Sequence, residues 1–141
     1  MKITVDTNVL VRVLLNDDAA QADAARRLLS RAELIAIPLP VLCELVWVLR
    51  RLYRRPIADV LTTLEAVLRT ERVVVDAAAV EAGLDVLRRG GDFADGVAAH
   101  TGAALGGTIF ASFDVNAVRI RLAQGDAAAD PPSLVEAHSR M

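Results

Sequence analysis

The fold is decided by residues 2–15, KITVDTNVLVRVLL, in which a short apolar run stops at an acid and a second apolar run begins. The β-branched residues up to Val5 predict a strand, and the run from Val9 to Leu15 predicts a helix. Asp6 would then stand at the carboxyl end of a strand, where open α/β sheets bind their ligands. The alternative is that Asp6 is only the N-cap of that helix, a position that aspartate favours.

The remaining sequence repeats this alternation of strands and helices. The alternation predicts an α/β fold of three layers, α/β/α, with a mostly parallel central sheet of four or five strands flanked by helices. Further strands are predicted at 34–37, 72–75 and 108–113, and further helices at 19–30, 40–54, 57–70, 77–89, from Asp92, and at 115–124. The length of 141 residues suits one domain, 1–141. The tail from about residue 125 is weakly defined and is expected to hold a short edge strand or little structure.

Composition excludes several classes of protein. The one cysteine cannot form an intrachain disulfide, which fits a reducing cytoplasm. No uncharged run reaches the roughly 18 residues of a membrane span, and Asp6 interrupts any signal-peptide core. The net charge of −2 lacks the basic footprint of many nucleic-acid-binding proteins. If several acids bind divalent cations, however, the remaining surface is net positive.

Two further acids occupy notable positions. Asp114 repeats the pattern of Asp6, because it follows the predicted strand 108–113 and precedes a helix. Glu44 lies inside the apolar run 39–49, and a buried lone carboxylate costs several kcal/mol unless it is protonated or paired. Glu44 is therefore expected to face a metal ion, or else to reach solvent or a distant arginine. Asp114, like Asp6, has the alternative role of a simple helix cap.

The acids of the segment Asp92-Phe93-Ala94-Asp95 stand at a predicted helix start. Asp92 fits the N-cap, and Asp95 fits the third helical position, as in a capping box with aspartate replacing the usual glutamate. Acids gathered at equivalent ends of neighbouring elements repel one another unless a cation is present. Oxygen ligands with no histidine or thiolate at ligand spacing suit Mg²⁺ or Mn²⁺ better than zinc.

These motifs, in this order, resemble the PIN-domain ribonucleases, and among them most closely the VapC toxins of bacterial toxin–antitoxin pairs. The resemblance is carried by Asp6-Thr7-Asn8-Val9-Leu10, by Glu44 in its apolar helix, by Asp92-Phe93-Ala94-Asp95 and by Ser112-Phe113-Asp114. It covers nearly the whole chain, and its implication is a metal-dependent RNA endonuclease. Two departures are Gly96, where the family commonly has alanine and where a looser helix start is expected, and the segment after Asp114.

The resemblance also implies roles for individual residues. Those matching the family's catalytic and metal-binding acids are Asp6, Glu44, Asp95 and Asp114. The supporting positions are Asn8, which is expected to orient a metal-bound water, Asp92, and Ser112, where the family often has threonine. Partners implied by the resemblance are an RNA substrate, a small antitoxin that blocks the acidic site, and a second copy of the chain in a homodimer.

An arginine cluster, Arg50, Arg51, Arg54 and Arg55, follows the predicted Glu44 helix. It is expected either to track RNA phosphates or to be a solvated helix end, which cations favour. Arg119 and Arg121, near Asp114, are a second candidate for phosphate contact.

Other functions compete with the nuclease. A haloacid-dehalogenase-type phosphatase also uses an acid after its first strand, but normally has a second aspartate two residues later, where this chain has Asn8. A receiver-like domain would need a lysine at a late strand end, and the one lysine is Lys2. A catalytically inactive PIN-like binding module is the non-enzymatic alternative.

Overall fold

The protein is described here by a computed structural model covering residues 1–140, which divides into two compact units, Met1–Val80 and the residues from Glu81 onward. The first unit contains a three-stranded parallel sheet in the order β1-β2-β3. Its strands are β1 (Lys2–Thr4), β2 (Leu34–Ala36) and β3 (Val73–Val74). Its helical elements are α1 (Thr7–Leu15), α2 (Ala19–Arg31), α3 (Leu39–Trp47), a π-helical turn (Val48–Leu52) and α4 (Ile57–Arg69).

Helix starts in the first unit follow from local chemistry. Asp6 caps α1, and Asp18 caps α2 by accepting a hydrogen bond from the Gln21 amide. The apolar sides of the helices and of β2 form the core, in which the largest fully buried side chains are Leu42, Leu45, Leu64 and Val60. The buried residues of α4, Val60, Leu64 and Val67, belong to this core.

The boundary between the units falls within α5 (Ala77–Arg88), which ends beside Gly90 in a left-handed conformation, with φ of +85°. The second unit continues with α6 (Phe93–Ala104), β4 (Phe110–Ala111), α7 (Val115–Ala123), β5 (Ala128–Ala129) and α8 (Pro131–Ser139). Strands β4 and β5 pair in parallel. The largest fully buried side chains here are Phe93, Leu87, Ile120 and Val86.

The predicted α/β fold of parallel strands alternating with helices is confirmed. Three details differ from prediction. The strands hydrogen-bond as sheets of three and two rather than as one sheet of four or five. The helix predicted to reach residue 54 ends at Trp47 and continues as the π-helical turn. The tail after residue 125 forms the short strand that was one of its expectations, β5, and in addition α8, which was not predicted and which Asp130 caps by accepting the Ser133 amide. No helix formed by residues 1–140 has the length and apolar character needed to span a bilayer.

Candidate active site

Asp6 is both an acid that follows a strand and the N-cap of α1, so the two interpretations of its position are compatible. One carboxylate oxygen, Oδ1, accepts the Thr7 amide at 2.7 Å. The other, Oδ2, accepts the side-chain amide of Asn8 at 3.2 Å. Asp6 itself is exposed. The Asp-Thr-Asn turn therefore holds an outward-facing carboxylate in a fixed orientation, and Asn8 supports Asp6 directly.

Glu44 is connected to the same turn through Thr7. The Thr7 hydroxyl donates to Glu44 Oε2 at 3.0 Å across 37 residues of sequence. Thr7 is only 4% exposed, and no other polar or charged side chain in residues 1–140 is as buried. A buried hydroxyl needs a partner, so this bond fixes the distance between α1 and α3. Thr7 then contacts both carboxylates, that of Asp6 through its amide and that of Glu44 through its hydroxyl. We call Asp6, Thr7, Asn8 and Glu44 the first acidic cluster.

Glu44 lies in an apolar run of sequence, but its side chain is not buried. Glu44 is exposed, whereas Leu42, Leu45 and Val46 on the other side of α3 are buried. The surrounding apolar sequence misled because helical periodicity places the acid on the solvent side. Glu44 therefore reaches solvent, as one of the two expectations had it; that it also faces a metal ion stays a prediction, and its Thr7 partner was not predicted.

The second unit carries its own acids at the start of α6. Asp92 caps the helix, accepting the Ala94 amide at 3.1 Å, as predicted. Asp95 lies in the first turn and is partly buried. Burial raises the pKa of Asp95 above the ordinary value of 3.8, and the negative charges of Asp92 and then Asp114 raise it further. Within residues 1–140, the Asp95 carboxylate accepts no hydrogen bond, so the capping-box bond expected for it does not form.

Asp114 caps α7 and accepts the Ala117 amide at 3.0 Å. Its own amide donates to the hydroxyl oxygen of Ser112 at 3.0 Å. Ser112 is held in turn because its backbone amide donates to Ala129 of β5 at 3.2 Å. Ser112 is thus a supporting residue that fixes the backbone of the turn. We call Asp92, Asp95, Ser112 and Asp114 the second acidic cluster.

Gly96 does not loosen the start of α6, contrary to expectation. A Cβ atom at Gly96 would lie 2.4 Å from the carbonyl oxygen of Ala82 and 2.9 Å from the Cα of Gly83. The ring of Phe93 occupies the space above Gly83, at 2.7 Å from where its Cβ would be. These glycines let α5 and α6 pack closely, and that packing sets the position of Asp95.

The predicted arginine candidates have different surroundings. Arg50, Arg51, Arg54 and Arg55 are all exposed, in and just after the π-helical turn. Arg121 is mostly buried and pairs with Asp126 at 3.1 Å, and Arg119 donates to Asn116. Arg121 is therefore a structural cation, which leaves the exposed cluster of four as the better candidate for phosphate contact.

Both acidic clusters offer the same donor chemistry. Their ligand atoms are carboxylate, hydroxyl and amide oxygens, which suit hard divalent cations such as Mg²⁺ and Mn²⁺. In the part of the chain that the structure describes, no three Asp, Glu, His or Cys side chains are grouped so as to hold a metal ion by themselves. The fit to a cation therefore rests on donor type and on Asp95, where partial burial between two like charges favours a counter-ion.

Thr7 is the residue whose structural connection the sequence did not reveal. It was recognised only as part of the turn after Asp6, although it connects Asp6 to Glu44. Its signal in the sequence is weak, because a threonine between an acid and a helix is ordinary in any capped turn.

The structure is an α/β fold with parallel strands, in which helices start at aspartates and carboxylate oxygens of the kind that bind hard divalent cations lie at those starts. The PIN domain family model matches residues 3–122, and the chain belongs to the PIN domain family. PIN domains are typically nucleases that use divalent metal ions. No curated protein sequence matches the chain.

Proposed function

We propose that this protein is a Mg²⁺- or Mn²⁺-dependent endoribonuclease and that it is the toxin of a type II toxin–antitoxin pair. The observation that carries the nuclease proposal is Asp95, a partly buried carboxylate on which the acting charges, Asp92 and Asp114, are both negative. Such a group favours a bound cation at neutral pH. Family membership supports the same chemistry, and the motif resemblance to VapC proteins supports the toxin role.

The residues that would hold the cations are Asp6, Glu44, Asp95 and Asp114. A bound divalent cation neutralises phosphate charge and lowers the pKa of water, so hydrolysis needs no side-chain base. The protein's own contribution is orientation: Thr7 and Asn8 hold the first acidic cluster, and Ser112 and the helix caps hold the second. Hydrolysis is proposed to leave a 5′-phosphate and a 3′-hydroxyl.

The decisive test is RNA cleavage by Asp6→Asn. Asparagine also caps helices, so the variant should fold while losing the anionic oxygen, and cleavage of a labelled RNA should fall to background. The matched control is Asp18→Asn, which makes the same change at the cap of α2 and should cleave normally. Cleavage should also stop in EDTA and return with Mg²⁺ or Mn²⁺. Retained cleavage by Asp6→Asn, or full activity in EDTA, would refute the proposal.

The toxin role requires a partner. We propose a small antitoxin that covers the acidic residues, an association of two copies of the chain, and action on RNA in the cytoplasm. Exposed apolar side chains such as Leu52, Leu105, Phe113 and Val115 are suited to contacts of this kind. The test is to coexpress the chain with the product of a small gene immediately upstream. Copurification and loss of cleavage support the proposal, and unchanged cleavage with no complex contradicts it.

The alternatives are distinguished by the same preparations. In a haloacid-dehalogenase-type phosphatase, position 8 would act in chemistry, but here the Asn8 amide holds Asp6. A phospho-aspartate trapped at Asp6 would favour the phosphatase. An inactive binding module would show neither cleavage nor a metal-dependent gain in melting temperature.

A further inference from the structure

We propose that the segment from Trp47 to Arg55 is a binding site for unpaired RNA nucleotides, in which Trp47 stacks on a base and the neighbouring arginines contact phosphates. We call residues 47–55 the stacking segment. The inference deepens the proposed function and rests on it, because it names the form of RNA that the protein holds. Its support lies in the surroundings of Trp47, in the backbone of the π-helical turn, and in the lack of partners for the arginines.

Trp47 is exposed where burial would be expected. It is the one tryptophan of the chain, and 53% of its surface is open to solvent. It follows Glu44 by three residues in α3, so both lie on the exposed side of the helix, opposite the buried Leu45 and Val46. A large aromatic surface thus stands one helical turn beyond an acid of the first acidic cluster.

The backbone after Trp47 departs from regular α-helical hydrogen bonding, and residues 50–55 are exposed. The Tyr53 amide donates to the Val48 carbonyl at 3.1 Å, and the Arg55 amide donates to the Leu49 carbonyl at 2.9 Å. Between them, Arg54 has φ of +50°, a left-handed conformation that glycine usually occupies at helix ends. π-helical turns and strained non-glycine residues recur at functional sites.

A second arginine in the left-handed region shows what is unusual about Arg54. Arg72 has φ of +72°, and its guanidinium donates to the carbonyls of Ser30 and Ala32, so its side chain stabilises the fold. Within residues 1–140, the Arg54 guanidinium has no hydrogen bond or ion pair. The fold therefore gains no hydrogen bond or ion pair from the guanidinium of Arg54 within residues 1–140, although it bears the cost of the conformation.

The other arginines of the stacking segment are also free of carboxylates. Within the described residues, none of Arg50, Arg51, Arg54 and Arg55 forms an ion pair, and Arg50 donates only to the Arg55 carbonyl, at 2.9 Å. Ion pairs are formed elsewhere by Arg12, Arg27, Arg69, Arg88, Arg89, Arg121 and Arg140. Four uncompensated cations within six residues favour a polyanion.

Tyr53 adds a second ring to the segment. It is 41% exposed, and its hydroxyl is 3.4 Å from Asp17 Oδ2, whose other oxygen pairs with Arg12 at 3.3 Å. Aromatic faces interleaved with cations are the chemistry of single-strand recognition, because every base has a face to stack and every nucleotide has a phosphate. Base-paired RNA does not offer free base faces, so the segment is suited to unpaired nucleotides.

The single tryptophan makes the test direct. A mixed-sequence single-stranded RNA of about 12 nucleotides, added in EDTA, should quench Trp47 fluorescence, since a stacked base quenches the indole. The matched probes are an abasic oligomer of the same length and an RNA duplex of the same sequence. Both should bind the arginines through phosphates and leave the indole emission nearly unchanged. Equal quenching by all three probes would overturn base stacking.

Variants separate stacking from charge, with affinity measured by anisotropy of the labelled single strand. Trp47→Leu should weaken binding by about tenfold or more, and Trp47→Phe, which keeps a ring, should restore most of it. Arg54→Gly should keep or raise the melting temperature because glycine suits φ of +50°. The same variant should reduce the salt slope, the steepness with which log affinity falls with log salt concentration, by about one. Arg31→Gln, an exposed arginine outside the segment, is the control and should change neither.

Four outcomes decide the inference. Wild-type affinity in Trp47→Leu and an unchanged salt slope in Arg54→Gly would overturn it. If Trp47→Leu binds RNA like the wild type but no longer copurifies with a partner protein, the segment is a protein interface and the inference is wrong. Because binding is measured without metal, quenching with no metal-dependent cleavage would leave this inference standing while the proposed nuclease function fails. Metal-dependent cleavage that Trp47→Leu leaves unaffected would overturn this inference while the proposed nuclease function stands.

Discussion

Asp6 and Asp95 are both acids at the start of a helix, but they are stabilised in opposite ways. Asp6 is exposed and accepts hydrogen bonds from Thr7 and Asn8 on its two oxygens. Asp95 is partly buried, accepts no hydrogen bond within residues 1–140, and has its pKa raised by burial and by Asp92 and Asp114. The fold therefore supplies hydrogen-bond donors to the acids of the first cluster, whereas it leaves the charge of Asp95 in the second cluster uncompensated.

The difference indicates how a protein can hold several carboxylates without a cation. Donors from the Asp-Thr-Asn turn and the Thr7 hydroxyl fix the acids of the first cluster. In the second cluster, helix caps satisfy Asp92 and Asp114, and the repulsion falls on Asp95. We expect changes to the first cluster to affect mainly orientation, and changes to the second to affect mainly charge and stability.

The largest effect on stability should come from Gly96→Ala, because the added methyl group disrupts the packing of α6 on α5 that positions Asp95 of the second cluster. The added methyl group would lie 2.4 Å from the Ala82 carbonyl oxygen, a backbone atom that cannot move away cheaply. We expect a loss of about 3 kcal/mol in unfolding free energy, measured by urea denaturation. The control is Gly102→Ala in the same helix, where nothing lies within 4 Å of the new atom. It should be neutral or stabilising, and an equal loss there would contradict the packing argument.

The next effect tests orientation in the first cluster. Thr7→Val keeps the buried shape but removes the hydroxyl that donates to Glu44 at 3.0 Å. We expect RNA cleavage to fall by about 10- to 100-fold, as for other residues that orient ligands rather than act themselves. The pH profile and metal requirement should remain, and Thr7→Ser should recover most of the activity. If Val and Ser variants cleave equally well, Thr7 does not position Glu44.

Much of this arrangement was predictable because it follows from short-range rules. Asp92 follows two glycines and Asp114 follows an apolar run, and each stands directly before a segment with a helical pattern. Both could therefore be assigned as helix caps from sequence alone. The same kind of local rule explains why Pro56 stands directly before α4 and why Gly90, with its positive φ, follows α5. Local chain chemistry decides these features, and no knowledge of distant residues is needed.

The rest depended on contacts between distant segments. The Thr7–Glu44 bond spans 37 residues, and nothing in either segment indicates the other. Gly96 appeared to weaken a helix, but its role is set by Ala82 and Gly83 on α5. The division of the strands into three and two depends on pairing partners, which periodicity does not specify. The tail 125–140 carries too little periodic pattern to predict α8, although a short edge strand was expected there.

The smallest effect should be a pH-dependent gain in stability from Asp95→Asn. The raised pKa means that folded Asp95 binds its proton more tightly than unfolded Asp95 does. Its stabilising contribution is present below the unfolded value of 3.8 and is lost as pH rises through the folded pKa. At neutral pH without metal, the asparagine variant should therefore melt higher than the wild type, and the gap should close as the pH falls toward 3.8.

Asp130 provides the control of opposite sign. Hydrogen bonds from the amide and hydroxyl of Ser133 lower its pKa, so its contribution is present above 3.8 and is lost as pH falls through the folded pKa. Asp130→Asn should therefore melt slightly lower than the wild type at neutral pH, and its deficit should vanish in acid. Thermal melts of both variants between pH 3 and 7, with and without Mg²⁺, check the pair. If Asp95→Asn also melts lower at neutral pH, Asp95 is already neutralised in the folded protein, and the contrast between the two acidic clusters is wrong.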